Sequence, residues 1–204
     1  MLGDQTLYVS PQAIRVEWKR QGTVMLCRAP DFKLILFNPT AHRYYETSDS
    51  NASKLLSQRI SLIVGLEANP HNFQPAGKGT VAGVAATNLE PRVHARHGPT
   101  CKEFWIADQM QVVPRLADAY CHYISAPAFG KIPLKIVNLD PDDHINQFLE
   151  CNACRQLSIP ASKFELPKSY QRVASDSQIM VNDSEVGAIF GIGEEEEPKK
   201  SKKH

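Results

Sequence analysis

The sequence lacks a long hydrophobic run, a charge surplus of one sign and an even set of cysteines. Its longest apolar stretches, "LIVGL" at 62–66 and "VGAIFGIG" at 186–193, fall far short of the ~20 residues that span a bilayer as a helix. A membrane-spanning helix is therefore not expected. The formal net charge of the 204 residues is +1, which gives no basic field to hold a phosphate backbone, so nucleic acid is not expected as a partner. Five cysteines, Cys27, Cys101, Cys121, Cys151 and Cys154, leave at least one thiol unpaired within the chain. "MLGDQTLYVS" shows no basic and then apolar leader. The expected location is the cytoplasm, or the periplasm or cell envelope if a leader has been removed.

Signatures of enzymatic chemistry are also missing. There is no G-x-S-x-G, no H-E-x-x-H, no glycine-rich phosphate loop and no G-x-G-x-x-G after a strand. "GKGT" at 77–80 lacks the leading glycine and spacing of a phosphate loop. The chain is expected not to be an enzyme and to need no cofactor.

What the chain has is alternation. "AIRVEWK" (13–19) puts Ile14, Val16 and Trp18 on one face and Arg15, Glu17 and Lys19 on the other. "TLYVS" (6–10), "TVMLCR" (23–28), "KLILF" (33–37) and "HRYYET" (42–47) share the pattern, with short turns between them that favour antiparallel hairpins. Further strands are expected within 79–91 and 92–97 and at 102–108, 131–139 and 144–160. Helical spacing predicts helices over 52–64, where Ser50 or Asn51 can cap, and 112–125, with Pro114 near its start. Residues 1–185 are expected to form one domain. Residues 186–204 are expected to form a short apolar segment and a charged, disordered tail.

This order of elements resembles the half-barrel family that includes the LolA-type periplasmic lipoprotein carriers. The resemblance rests on "LYVSPQAIRVEW", the "APDF" turn, "LILFNP", the Tyr-rich strand "YYE" and the closing "IPASKFELPKSYQRV", and covers roughly residues 5 to 173. It implies a mainly β chain with helices (α+β): a single curved antiparallel sheet, an incomplete barrel, covered by two helices. It further implies an apolar cavity between sheet and helices that takes a lipid, an acyl chain or a lipoprotein. Those carriers have an arginine before the first proline that serves in handing cargo on. Here Ser10 precedes Pro11, so no residue inherits that role.

In "LILF", Leu34 and Leu36 share one face and Ile35 and Phe37 the other, and a strand apolar on both faces needs cover on both. Either both faces are core, or one meets a ligand. Trp18, Ile35, Phe37 and Trp105 are the candidate lining of a ligand cavity, with ordinary core packing as the alternative. The other candidate is "ECNAC" (150–154). One C-x-x-C is half a tetrahedral zinc site, and His94 and His97 are the nearest extra ligands. On a strand, Cys151 and Cys154 would lie ~10 Å apart on opposite faces, beyond the ~7 Å a disulfide tolerates. Metal or redox use therefore requires a turn there. Asp118 and His122, four apart on the second helix, are expected to form a surface pair. The expected function is non-enzymatic carriage of a lipid or acylated protein. The alternatives are a metal-binding or redox protein using Cys151 and Cys154, and an envelope interaction protein with a filled cavity.

Overall fold

Alternating strands with short turns can close into a sheet only with their immediate neighbours in reach, and the first five do so. The structure is a computed structural model that describes residues 3–48, 70–92, 100–139 and 144–179. Strands β1 (Gln5–Ser10), β2 (Ala13–Trp18), β3 (Thr23–Arg28), β4 (Lys33–Asn38) and β5 (Arg43–Ser48) form an antiparallel meander. Each lies within a residue or two of its expected position. A second meander joins β6 (Phe73–Val81), β7 (Val84–Pro91), β8 (Thr100–Ala107), β9 (Pro133–Leu139) and β10 (Ile145–Glu150). The β6–β7 turn is Ala82-Gly83, both at positive φ (51° and 80°), which matches the twist of a two-residue hairpin.

The two meanders are separate sheets, not one. The first is completed by β11 (Gln171–Arg172), which pairs parallel to β5, so β5 and β6 are not neighbours. The expectation of a single curved sheet, an incomplete barrel under two helices, is thereby corrected. Local alternation dictates which residues share a face, but not which sheet the sixth strand joins, because that depends on long-range pairing. One helix, α1 (Pro114–Tyr123), is present among the described residues, within the expected 112–125. The helix expected over 52–64, the strand expected at 92–97 beyond Arg92, and the tail at 186–204 lie outside the described residues.

The main core is shared by both sheets and the helix. Ile14, Val16 and Trp18 of β2 and Leu34 and Leu36 of β4 meet Phe104 and Ile106 of β8 and Leu134 and Ile136 of β9, with Leu116, Ala117 and Tyr120 of α1 among them. Gln5 Nε2 on β1 donates to the Tyr120 hydroxyl at 3.0 Å, which ties the helix to the first sheet's edge. Burial raises the Tyr120 phenol well above its ordinary value and keeps it neutral. Asp118 does not act as half of a surface pair alone. Its Oδ1 accepts the Gly130 backbone N–H at 2.7 Å and so closes the loop after the helix. Among the described residues no helix is long and apolar enough to cross a membrane.

Candidate functional site

The registers of β1 to β5 place side chains in rows across the first sheet. One face carries Leu7, Val16, Met25, Leu36 and Tyr45 in one row, and Val9, Ile14, Cys27 and Leu34 in the next. This face looks into the main core. The opposite face carries the rows Glu17, Val24, Phe37, Tyr44 and Tyr8, Arg15, Leu26, Ile35. Trp18 therefore belongs to one side of the sheet, while Ile35 and Phe37 belong to the other.

The cover over the second face is a later segment of the same chain, residues 159–170. Phe164 is buried there with Ala13, Val24, Leu26 and Phe37, and Ile159, Leu166 and Tyr170 pack around them. The Tyr170 ring meets Phe37 edge-on at 5.6 Å and stacks on His42 at 5.3 Å. This answers the two-sided apolarity of "LILF": both faces are covered by protein, with Phe37 buried and Ile35 half-buried at the margin of the second cluster. Trp18 is 2% exposed and Phe37 1%. A void wide enough for an acyl chain beside either ring would add accessible surface to it, so both rings are packed against protein.

Charge fixes the segment in place. Lys163 Nζ lies 2.8 Å and Arg15 Nε 2.7 Å from Glu17 Oε1, and Arg15 Nη1 donates to the Lys163 carbonyl at 3.1 Å. The Arg15 guanidinium also sits 5.2 Å from the Phe37 ring centre, and Lys163 Nζ 4.4 Å from that of Tyr8, both within cation–π range. Burial works to raise the Glu17 carboxyl, but the hydrogen bonds and charges of Lys163 and Arg15 outweigh it and hold it below its ordinary 4.5. A carboxyl whose folded pKa is depressed stabilises the fold above its unfolded pKa, and that stabilisation is lost as pH falls through the folded value. Thermal stability is thus expected to drop on acidification below 4.5. Glu17→Gln should lower Tm at neutral pH by about 1–4 °C and flatten part of that acid slope. A Glu17→Gln protein with the wild-type Tm and acid profile would show that the clamp contributes nothing.

Trp105 belongs to the second sheet, unlike the other three candidates. Its neighbours Phe104 and Ile106 enter the main core, and Trp105 packs at the margin of that core with its ring over Gly79 of β6. A Cβ on Gly79 would stand 3.1 Å from the ring, so glycine there is what lets the indole lie down. Trp105 Nε1 and Lys135 Nζ both donate to Glu103 Oε2 at 2.9 Å. The hydrogen bond from Lys135, then that from Trp105, hold the Glu103 carboxyl below its ordinary 4.5 against the effect of burial. Trp105 is a cap on a glycine-containing strand at the margin of the core that encloses Trp18, while Ile35 and Phe37 belong to the separate cluster on the other face of the first sheet.

The expected strand over 144–160 is corrected in the same region: β10 ends at Glu150, and residues 151–160 run without strand or helix. Leaving the sheet removes the strand geometry that separated Cys151 from Cys154. All five cysteines are thiols; Cys154 is exposed and Cys151 half-buried, while Cys27, Cys101 and Cys121 are buried. Burial first, and then the nearby Cys154, push the Cys151 thiol up. Burial pushes Cys101 up to about 12 and raises Cys121 still more strongly. His94 and His97 lie outside the described residues, and among the described residues no group of three or more His, Cys, Asp or Glu is placed to hold a metal ion. Since the thiolate is the reactive form, a maleimide added to native protein is expected to label Cys154 first and Cys151 more slowly. The remaining three should react only on unfolding. Simultaneous protection of Cys151 and Cys154, relieved by a chelator, would instead support the metal reading.

Sequence reasoning missed Arg15, Glu17 and Lys163 as a cluster. The alternation in "AIRVEW" marks Arg15 and Glu17 as facing away from the main core, which is correct. Nothing local indicates that Lys163, far along the chain, returns to meet them.

No protein-family model matches the chain, and no curated protein matches it. A solved structure, the crystal structure of an uncharacterized conserved protein from Thermus thermophilus, is similar at 12% identity and a TM-score of 0.45, covering 83% of this chain and 80% of that one. A likeness of that size assigns neither a family nor an activity.

Proposed function

We propose that the protein is a non-enzymatic binding module that engages a partner through its surface, with its interior filled by its own side chains. The observation that supports this reading is the closure of the second face of the first sheet. Ile35 and Phe37, the residues best suited to meet an acyl chain, are met instead by Phe164 and its neighbours from residues 159–170. Trp18, on the other side, is enclosed by the main core. Carriage of a lipid or lipoprotein, as the resemblance to the LolA-type carriers implies, would need one of these packed faces to open and stay open around its cargo.

Native mass spectrometry of gently purified protein separates the two. The expected result is the bare chain mass, unchanged after incubation with a long-chain fatty acid or with detergent-solubilised phospholipid. A stoichiometric lipid adduct that survives purification would overturn the filled-interior reading and favour the carrier.

A further inference from the structure

The cover over the first sheet differs in kind from the rest of the fold. Residues 159–170 lie on a finished five-stranded meander as one 3-10 turn (Ala161–Phe164) and irregular chain. They are followed by the two-residue strand β11 and by the 3-10 turn Asp176–Ile179, whose Ile179 enters the main core. What precedes them is residues 151–158, which have no secondary structure and are exposed from Asn152 to Ser158. The unit 159–179 therefore attaches to the molecule through a connection that, fully extended, reaches ~26 Å at ~3.3 Å per residue. Within that connection Leu157 is 65% exposed, an apolar side chain that its own molecule leaves uncovered.

We propose that this unit exchanges between two copies of the chain, so that the sheet of one copy receives residues 159–179 of the other. This rests on the reading of the protein as a surface-binding module, and it names the partner as a second copy. The face is fitted to one occupant: an apolar floor of Val24, Leu26, Ile35 and Phe37 for Phe164, with Glu17 at its margin placed for a lysine one residue before that phenylalanine. The chain itself carries that occupant, and a second copy carries an identical one. Every contact of the closed monomer is remade in an exchanged pair, and only the connection changes its path. The two connections then run side by side about the two-fold axis, where each Leu157 has the other for cover.

The Glu17–Lys163 pair supplies the test with full-length protein. Glu17→Lys alone sets a lysine against Lys163, and Lys163→Glu alone sets a glutamate against Glu17, so each variant mismatches its own covering unit, the strap of residues 159–179. In an exchanged heterodimer, one sheet meets a reversed but matched pair and the other meets the native pair. Refolding the two variants together from denaturant should give a heterodimer in roughly tenfold excess over either homodimer on native mass spectrometry, because mismatched pairings are selected against. A mixture of folded variants that stays monomeric overturns the inference. So does dimerisation to equal extent in every combination, since that would proceed through another surface. If a charge variant does not refold, deletion of residues 153–156 decides. A connection so shortened should hold the unit off its own sheet and yield a dimer, and a folded monomer would overturn the exchange. These results are independent of the lipid adduct that tests the filled interior.

Discussion

Trp18→Ala is expected to destabilise the protein by about 3–5 kcal/mol, the cost of emptying a large buried aromatic site. The ring is enclosed by both sheets and the helix and lies 4.7 Å from the Tyr123 ring. Trp18→Phe should cost far less than the volume change alone suggests. Among the described residues Trp18 Nε1 is buried without a hydrogen-bond partner, and an unsatisfied buried donor carries a penalty of about 1–3 kcal/mol that phenylalanine removes. Urea denaturation followed by far-UV circular dichroism measures both. A residue lining an empty cavity would behave differently, since little packing is lost on truncation. A Trp18→Ala cost below ~1 kcal/mol would therefore contradict the filled core.

Phe164→Asp should detach the strap while leaving the sheets intact. Its ring is the central apolar contact over Val24, Leu26 and Phe37, and a carboxylate there would be buried without a partner. The strap meets the backbone of the first sheet at the short β11–β5 pairing, with Gln171 N to His42 O and Val173 N to Tyr44 O, and its other backbone bonds are turns within the strap itself. The expected signature is faster proteolysis within 151–170, increased binding of an apolar dye, and a far-UV spectrum close to wild type. If proteolysis there is unchanged, residues 159–170 are not held by Phe164. A cooperative loss of the whole fold would mean that the strap and the first sheet form one folding unit.

The five strands from Gln5 to Ser48 are legible in the sequence because polar and apolar residues alternate between short turns, and α1 because Pro114 opens a helical pattern. The division into two sheets is not legible, since β5 and β6 carry no local mark of whom they pair with. The length of β10 is misread because "LECNACRQLSI" keeps strand-like composition after Glu150, where the chain leaves the sheet. For the candidate site, the two-sided apolarity of Leu34 to Phe37 correctly announces cover on both faces. Its source, the segment around Phe164, lies too far along the chain for periodicity to link them. Trp18, Ile35, Phe37 and Trp105 look alike in sequence because an aromatic or aliphatic residue on a strand has the same pattern whether it meets core, strap or a glycine.

The order of synthesis gives the strap a further significance. The first meander is complete in sequence at Ser48, and among the described residues the cover of its second face is made after the entire second sheet. At translation rates of ~5–20 residues per second, that face would wait for this cover for on the order of ten seconds on the ribosome. A nascent chain in that interval presents Leu26, Ile35 and Phe37 to the cell before their intended neighbour exists. Chaperone engagement of stalled chains should accordingly fall sharply once Phe164 has cleared the exit tunnel.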